Sequence, residues 1–283
     1  MASPLPELKP TYAGSCEATG AGWRVFCGDA KDVLAALPAN RYASVITSPP
    51  YYWQRDYKVA GQLGVEKTID AYVSRLVETM EEVRRVLHPR GVLFLNLGDT
   101  YYSGKGKPQG HDKKHPGRRF SRLRAVDTSG LGVPKKTIIG IPWRVALAMI
   151  DRKWILRSPI IWQRKYPVPE SNAQDRPWRT YEHVFMFTKS RTYEFDRSVL
   201  ARSKVEDIWE IPSQSQAERE HPAVFPQELV GRCLALVRNR GPVLDPYVGS
   251  GTVLRVATEQ GVDADGIDLS PKFCGLAAKA CQG

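Results

Sequence analysis

The chain has 283 residues, of which 42% are hydrophobic and 25% are charged, the balance of a globular protein with a substantial core. No stretch approaches the ~18 consecutive apolar residues of a membrane span, and we expect no secretory signal. The five cysteines form no CxxC pair, so we expect reduced thiols, a cytoplasmic location and no membrane association. The formal charge of +11 predicts a polyanionic partner, with nucleic acid favoured over a membrane surface.

Apolar runs, and apolar residues spaced three and four apart, predict strands and helices that alternate along the chain. In chain order they are strand 23–27, helix 33–37, strand 42–47, helix 69–87, strand 92–97, helix 142–149, strand 154–162, strand 183–187, helix 228–237, strand 243–245, helix 252–259, strand 262–267 and helix 271–280. No internal repeat or strong linker divides them. This alternation predicts one α/β domain, built on a mostly parallel sheet with helices on both faces.

A segment rich in glycine, lysine and arginine lies between strand 92–97 and helix 142–149 and shows no helix or strand period. Between residues 105 and 136 it holds two acidic residues and ten basic ones, which supply most of the net charge of +11. The basic residues are Lys105, Lys107, Lys113, Lys114, Arg118, Arg119, Arg122, Arg124, Lys135 and Lys136. A solvated loop is one interpretation. The favoured one is that these side chains bind nucleic-acid phosphates, because compact domains seldom keep so long a loop without a use.

A glycine-rich motif follows a predicted strand and opens a predicted helix, with the sequence Asp245-Pro246-Tyr247-Val248-Gly249-Ser250-Gly251-Thr252. Glycines in such a turn let the backbone approach a nucleoside closely, although a tight turn without a ligand has the same pattern. Asp268 ends the next predicted strand, where a carboxylate accepts hydrogen bonds from ribose hydroxyls. Leu254 replaces the third glycine of a dinucleotide fingerprint, so the pattern favours a nucleoside without a pyrophosphate.

A second motif, Ser48-Pro49-Pro50-Tyr51, directly follows predicted strand 42–47. The prolines lack backbone donors and hold the chain extended, so that nearby carbonyls can point outward as acceptors. A serine hydroxyl, a fixed carbonyl and an aromatic face suit a flat group that carries an exocyclic amine. Such a sequence is often only a turn. Its position at the carboxyl end of a strand, where open α/β sheets bind ligands, favours a site.

Together the two motifs resemble those of the S-adenosylmethionine-dependent exocyclic-amine DNA methyltransferases, and their order resembles the permuted β-class of that family. Gly28-Asp29 and the segments 97–101, 179–189 and 221–226 resemble further family motifs. The resemblance implies a single Rossmann-like methyltransferase domain with a seven-stranded, mostly parallel sheet and a circularly permuted motif order. It also implies S-adenosylmethionine as cofactor, bound by Asp29, Phe225, Asp245, Pro246, Tyr247, Gly249, Ser250, Gly251, Thr252 and Asp268.

The resemblance further implies how the chain is organised and what it binds. Residues 21–100 would form a catalytic half and 101–140 a basic insertion that contacts DNA or recognises the target. Residues 141–220 would supply the remaining strands and 221–283 a cofactor-binding half. The substrate would be double-stranded DNA. A cognate restriction endonuclease and a second copy of the chain are further partners that the resemblance allows.

The residues agree with methylation of an amine. The five histidines are dispersed, so no metal site is predicted, and no cysteine follows a proline as the nucleophile of cytosine-C5 methyltransferases does. Ser48 and the Pro49 carbonyl would accept both hydrogens of the amine and thereby return its lone pair to nitrogen. Tyr51 would stack on a base flipped out of the duplex, with Tyr52 and Trp53 as further candidates for stacking. By this interpretation the Tyr51 ring is needed and its hydroxyl is not.

Ser48 favours cytosine N4 as the target, because adenine members of the family usually carry Asp at this position. Adenine N6 in DNA and an RNA acceptor remain as alternatives. A non-catalytic nucleic-acid-binding protein on the same fold is a further alternative, which the intact Ser48 and Gly251 disfavour.

Overall fold

The computed structural model describes residues 8–102, 133–167, 169–170, 173–202, 206–212, 226–237 and 241–282. The strands are β1 (Tyr12–Ser15), β2 (Gly22–Cys27), β3 (Tyr42–Thr47), β4 (Leu87–Leu97), β5 (Ile155–Arg164), β6 (Tyr181–Thr188), β7 (Ile208–Ile211), β8 (Val243–Asp245) and β9 (Ala264–Asp268). The helices are α1 (Ala30–Ala36), α2 (Ile69–Val86), α3 (Ile141–Asp151), α4 (Arg197–Arg202), α5 (Gln227–Ala235), α6 (Thr252–Glu259) and α7 (Pro271–Gln282). Within these ranges, no helix has the length and apolar character needed to cross a lipid bilayer.

The strands form one sheet in the order β1-β2-β9-β8-β3-β4-β6-β5-β7. Five neighbouring pairs are parallel, and three pairs, β1–β2, β4–β6 and β6–β5, are antiparallel. The predicted α/β class with a mostly parallel sheet is therefore confirmed. The predicted count of seven strands is wrong, because the described residues form a sheet of nine.

The two additional strands lie at opposite edges of the sheet. β1 is exposed along its whole length and β7 has only four residues, so neither carries the apolar run that predicts a strand. β4 also begins earlier than predicted. Leu87 pairs with Tyr42 of β3, and the strand continues from there through Pro89 and Gly91. Pairing with a neighbour, which is a tertiary effect, decides all three differences.

Apolar cores cover both faces of the sheet. On one face, α1, α2 and α3 bury residues such as Leu34, Leu76 and Met149. On the other face, α5, α6 and α7 bury residues such as Leu229 and Leu254. The carboxyl ends of the parallel strands β2, β9, β8, β3 and β4 consequently meet at one edge, where the antiparallel strand β6 begins. Both sequence motifs lie at this edge.

Candidate active site

The two motifs are joined directly by a hydrogen bond. Ser48 follows β3, and Asp245 ends β8, the parallel neighbour of β3. The hydroxyl of Thr47, the last residue of β3, donates to Asp245 Oδ1 at 2.7 Å. The serine motif and the glycine motif, which are far apart in the sequence, therefore form one continuous site.

The Tyr51 hydroxyl lies at the centre of a hydrogen-bond cluster. It donates to Glu182 Oε2 at 2.6 Å, and it accepts from the Asn96 side-chain amide at 2.6 Å and from Ser48 Oγ at 3.2 Å. The Asn96 amide also donates to Glu182 Oε2 at 3.1 Å. Burial, and then the Glu182 carboxylate, raise the pKa of Tyr51 well above its ordinary value, so this hydroxyl keeps its proton.

Strand register explains why these polar side chains meet. β3 and β4 are parallel with Thr47 opposite Leu95, which brings Ser48 alongside Asn96. β4 and β6 are antiparallel with Leu97 opposite His183, so the preceding residue, Glu182, adjoins the end of β4. Because side chains alternate along a strand, Asn96 and Glu182 lie on the same face of the sheet.

Asn96 and Glu182 were not among the predicted site residues. Asn96 is 1% exposed, and its carbonyl Oδ1 is buried without a hydrogen-bond partner in the described part of the chain. An asparagine inside the apolar run 92–97 was the available signal. Glu182 lies in segment 179–189, which resembles a family motif, but that resemblance gave Glu182 no role in the site.

The ring and backbone of the serine motif are also fixed. A Cβ at Gly98 would lie 2.4 Å from Cε2 of Tyr51, so only glycine leaves space for this ring. The Pro50 carbonyl accepts a hydrogen bond of 2.9 Å from the Tyr72 hydroxyl. No described residue donates to the Pro49 carbonyl, which keeps its acceptor capacity. The sequence analysis needed only the ring of Tyr51, whereas in the structure its hydroxyl also makes three hydrogen bonds.

The glycine motif forms a tight turn between β8 and α6. Gly249 and Gly251 have φ angles of 51° and 83°, which glycine adopts without strain. A Cβ at Gly251 would lie 2.7 Å from Cα of Ala277, so α7 packs directly against the turn. Of the other predicted cofactor contacts in the motif, Pro246 and Thr252 are buried and Tyr247 and Ser250 are half-buried.

Two carboxylates lie at the ends of the adjacent strands β8 and β9. Asp268 Oδ2 accepts the Gly249 N–H at 3.0 Å, and its Oδ1 accepts the Ser270 N–H at 2.8 Å. Burial raises the pKa of Asp268 to about 6 and that of Asp245 to about 7. Each carboxylate oxygen has a second lone pair, so half-buried Asp268 can still accept hydrogen bonds from a ligand.

Asp29 places a third carboxylate nearby, in the turn after β2. β2 pairs with β9 so that Cys27 lies opposite Asp268. Asp29 Oδ1 accepts the Lys31 N–H at 2.9 Å, and its Oδ2 lies 3.5 Å from Arg75 Nη2. A cavity of about 480 Å³ between α1 and α2 includes Asp29 and Arg75 in its lining. Within the described ranges, no group of three or more His, Cys, Asp or Glu side chains is placed to hold a metal ion.

A short backbone ladder joins the two ends of the basic insertion. Tyr102 N–H donates to the Thr137 carbonyl at 2.8 Å, and Lys136 N–H donates to the Tyr102 carbonyl at 2.8 Å. Lys135 and Lys136 are both exposed, and the Lys136 ammonium forms an ion pair with Asp175. The other predicted binding residues of this group and one predicted cofactor contact lie outside the described residues: Lys105, Lys107, Lys113, Lys114, Arg118, Arg119, Arg122, Arg124 and Phe225.

Asp99 fixes the base of the insertion from the end of β4. Its carboxylate accepts the N–H groups of Thr100 at 2.8 Å, Gly140 at 3.0 Å and Ile141 at 3.1 Å. Gly140 has no side chain to cap α3, so Asp99 supplies the cap from a distant part of the sequence. Burial raises the pKa of Asp99, although these amides act in the opposite direction. Both flanks of the insertion are thereby held just beyond the end of β4, at the edge of the sheet that carries Ser48.

Comparison with known proteins places the chain among methyltransferases. The sequence pattern of the family described as DNA methylase matches residues 42–279. The Type II methyltransferase M.XycI of Xanthomonas campestris pv. cyanopsidis is 39% identical over 274 residues, which cover 93% of this chain and 88% of that protein. The structure of the cytosine-N4-specific PvuII DNA methyltransferase superimposes with a TM-score of 0.71 at 20% identity, covering 96% of this chain and 88% of that one. A putative DNA modification methylase from Thermus thermophilus, in complex with S-adenosyl-L-methionine, gives a TM-score of 0.63 at 25% identity, covering 92% and 95%.

Proposed function

The chain belongs to the DNA methylase family, and on this premise we propose that it transfers a methyl group from S-adenosylmethionine to the N4 amine of a cytosine flipped out of double-stranded DNA. The proposal includes the permuted β-class order of the two motifs and modification of a specific DNA site alongside a restriction endonuclease. The hydrogen bond between Thr47 and Asp245 carries the proposal, because it joins an amine-binding motif to a nucleoside-binding motif.

The carboxylates at the strand ends fit S-adenosylmethionine, which supplies an electrophilic methyl group when bound. Asp268 would accept hydrogen bonds from the ribose hydroxyls, and Asp29 would contact the adenine. The turn at Gly249 and Gly251 would bring the backbone close to the nucleoside. Partial burial of Asp268, with lone pairs left after two internal hydrogen bonds, supports this fit. The negative charges also complement a sulfonium cation.

The serine motif suits an exocyclic amine. Ser48 gives its hydrogen to Tyr51 and accepts from the Asn96 amide at 3.4 Å, so one lone pair of Ser48 Oγ is left for an amine hydrogen. The Pro49 carbonyl would accept the other. Withdrawing both hydrogens localises the lone pair on the amine nitrogen, which then attacks the methyl group. An uncharged serine, where adenine members of the family usually have Asp, supports cytosine as the target.

The basic segment 105–136 would bind the phosphate backbone around the flipped base. Its ends lie at the same edge of the sheet as Ser48. The division of the chain into halves at 21–100 and 221–283, and a dimer of two copies, stay predictions.

Nucleoside mass spectrometry tests the function. The purified chain, incubated with S-adenosylmethionine and unmethylated duplex DNA, should produce N4-methylcytosine. N6-methyladenine would overturn the target base but keep the site, and C5-methylcytosine would overturn the mechanism. RNA in the same assay tests the RNA alternative. A folded, cofactor-binding protein that methylates neither acceptor would favour the non-catalytic alternative.

A serine variant tests the amine-binding role separately. Ser48→Ala should lose about 10²–10³ in turnover, because it removes one preorganised hydrogen bond at the reacting centre. Cofactor affinity should be kept, since other residues hold the cofactor. Ser198→Ala, in the exposed part of α4, is the matched control and should retain full turnover. Full turnover in Ser48→Ala would remove Ser48 from the mechanism.

A further inference from the structure

The hydrogen bonds around Tyr51 run in one direction. Ser48 Oγ donates to the Tyr51 oxygen at 3.2 Å, and the Tyr51 hydroxyl donates to Glu182 Oε2 at 2.6 Å. The Tyr51 oxygen also accepts from Asn96, so both of its lone pairs are used and its single hydrogen is committed to Glu182. A distance of 2.6 Å is typical of an O–H group that donates to a charged carboxylate.

Glu182 ends this series of hydrogen bonds. Its Oε2 accepts from both Tyr51 and Asn96, whereas its Oε1 lies 4.0 Å from Nη1 of Arg164 on the adjacent strand β5. The Glu182 side chain is 16% exposed, so it contacts both the buried cluster and the solvent. The structure therefore connects a solvent-accessible carboxylate to the hydroxyl of Ser48 through one half-buried tyrosine, Tyr51.

We propose that Glu182 is a positioning residue that receives, through Tyr51 and Ser48, the proton that the target amine loses. The inference rests on the proposed function, because it requires an exocyclic amine at Ser48. Before the reaction, the same series of hydrogen bonds turns the Ser48 hydrogen away from the amine. Ser48 Oγ, which also accepts from the Asn96 amide at 3.4 Å, then presents its remaining lone pair to the substrate.

The proton transfer conserves atoms and charge. Once the amine nitrogen has bound the methyl group through its lone pair, it is positively charged and must lose a proton. One N–H bond breaks, its electron pair stays on nitrogen, and the proton moves to Ser48 Oγ. Ser48 passes its own hydrogen to Tyr51, and Tyr51 passes its own hydrogen to Glu182 Oε2. Both hydroxyls end neutral, and Glu182 ends as a neutral acid that releases its proton to water.

Two single variants test this role. Glu182→Gln keeps an oxygen that accepts from Tyr51 but cannot take up a proton, and Tyr51→Phe removes the middle of the relay. Each should slow a single turnover by at least about tenfold, since proton transfer by a positioned side chain contributes about 10²–10⁴. Dissociation constants for S-adenosylmethionine and for duplex DNA, measured by calorimetry and fluorescence anisotropy, should change by less than about twofold because neither ligand loses a contact. Glu210→Gln on β7, whose side chain pairs with Lys165 at the surface, is the control and should match the wild type.

The double variant Tyr51→Phe with Glu182→Gln separates a relay from two structural roles. A relay already broken at one residue is not slowed further by breaking it at another, so the double variant should be within about twofold of the slower single variant. If the double variant is slowed by the product of the two single effects, the inference is overturned. It is also overturned if Glu182→Gln methylates DNA at the wild-type rate. A wild type that methylates no base would overturn the proposed function, and this inference with it.

Discussion

The Thr47 hydroxyl donates a 2.7 Å hydrogen bond to the Asp245 carboxylate, and both residues are buried although 198 positions separate them in the sequence. Each residue ends its strand, so the bond ties β3 to β8 at the edge that carries both motifs. Burial raises the pKa of Asp245 to about 7, and the hydrogen bond from Thr47 opposes that rise. Thr47 therefore helps to keep a buried carboxylate charged near neutral pH.

Thr47→Val should destabilise the folded protein by about 1–3 kcal/mol at pH 8, because valine keeps the shape of threonine but leaves the buried Asp245 carboxylate with the Tyr247 N–H and without its hydroxyl donor. Urea unfolding at pH 8 measures this loss. Thr192→Val, at an exposed loop position, should leave the free energy of unfolding nearly unchanged. Equal stability of the Thr47 variant and the wild type would show that the bond contributes nothing.

Asp268→Ala should weaken S-adenosylmethionine binding by about ten- to a hundredfold, since hydrogen bonds to a charged group contribute about 1.5–3 kcal/mol each. Calorimetry on the folded variant measures the affinity. Asp263→Ala is the control, because Asp263 is an exposed carboxylate just before β9, at the opposite end of that strand. An unchanged affinity in the Asp268 variant would remove this residue from the cofactor site.

Cofactor binding should also depend on pH. Burial raises the pKa of Asp268 from 3.8 to about 6, so the folded protein protonates this acid below about pH 6. A protonated acid accepts fewer hydrogen bonds, and affinity should fall by up to about tenfold for each pH unit below that value. Calorimetry between pH 5 and 8 measures the change. Asp268→Asn should reduce this dependence and leave the part due to Asp245, whose pKa is about 7, and a pH-independent wild type would contradict the assignment.

The same shift affects stability without a ligand. Because the folded-state pKa of Asp268 lies above its ordinary value of 3.8, this group stabilises the protein most at low pH. That contribution should be lost as the pH rises from 3.8 to about 6. Urea unfolding of the wild type and of Asp268→Asn over this range measures it as a difference between the two pH dependences. If the free energy of unfolding changes equally with pH in the two proteins, the pKa shift of Asp268 is absent.

Asp99→Ala should destabilise the protein by about 2 kcal/mol, because three backbone N–H groups around the start of α3 lose their acceptor. Asp99→Asn keeps one acceptor oxygen and should cost less. Urea unfolding compares the two variants. Asp99→Ala should lose more stability than Asp99→Asn. A greater loss in Asp99→Asn would contradict the capping role.

The basic insertion should bind DNA without regard to sequence. Replacing Arg118, Arg119, Arg122 and Arg124 with Ala should weaken all duplexes nearly equally. The slope of log K against log salt should become shallower by up to about 0.9 for each lost phosphate contact. Lys136→Ala should change the slope less, since Asp175 already neutralises that side chain. An unchanged slope in the arginine variant would indicate a solvated loop, and a loss of discrimination alone would indicate contacts to bases.

The sequence by itself determined the α/β class and both motifs, because these depend on local patterns. The apolar run 42–47 followed by Ser48-Pro49, and the strand before the glycine turn, each place a motif at the carboxyl end of a strand. In a parallel sheet, such ends meet at one edge. The same rule predicted that Asp268 belongs to this site, because Asp268 ends the next strand in the sequence.

Only the tertiary structure decided what surrounds Ser48. The antiparallel pairing of β4 with β6 sets Glu182 beside Tyr51, 131 positions away, and no local pattern encodes that register. The edge strands β1 and β7 exist because a neighbour offers them backbone partners and not because their residues form apolar runs. The role of the Tyr51 hydroxyl belongs to the same class: a sequence shows that a tyrosine is present, but the partners of its hydroxyl depend on which strands lie beside it.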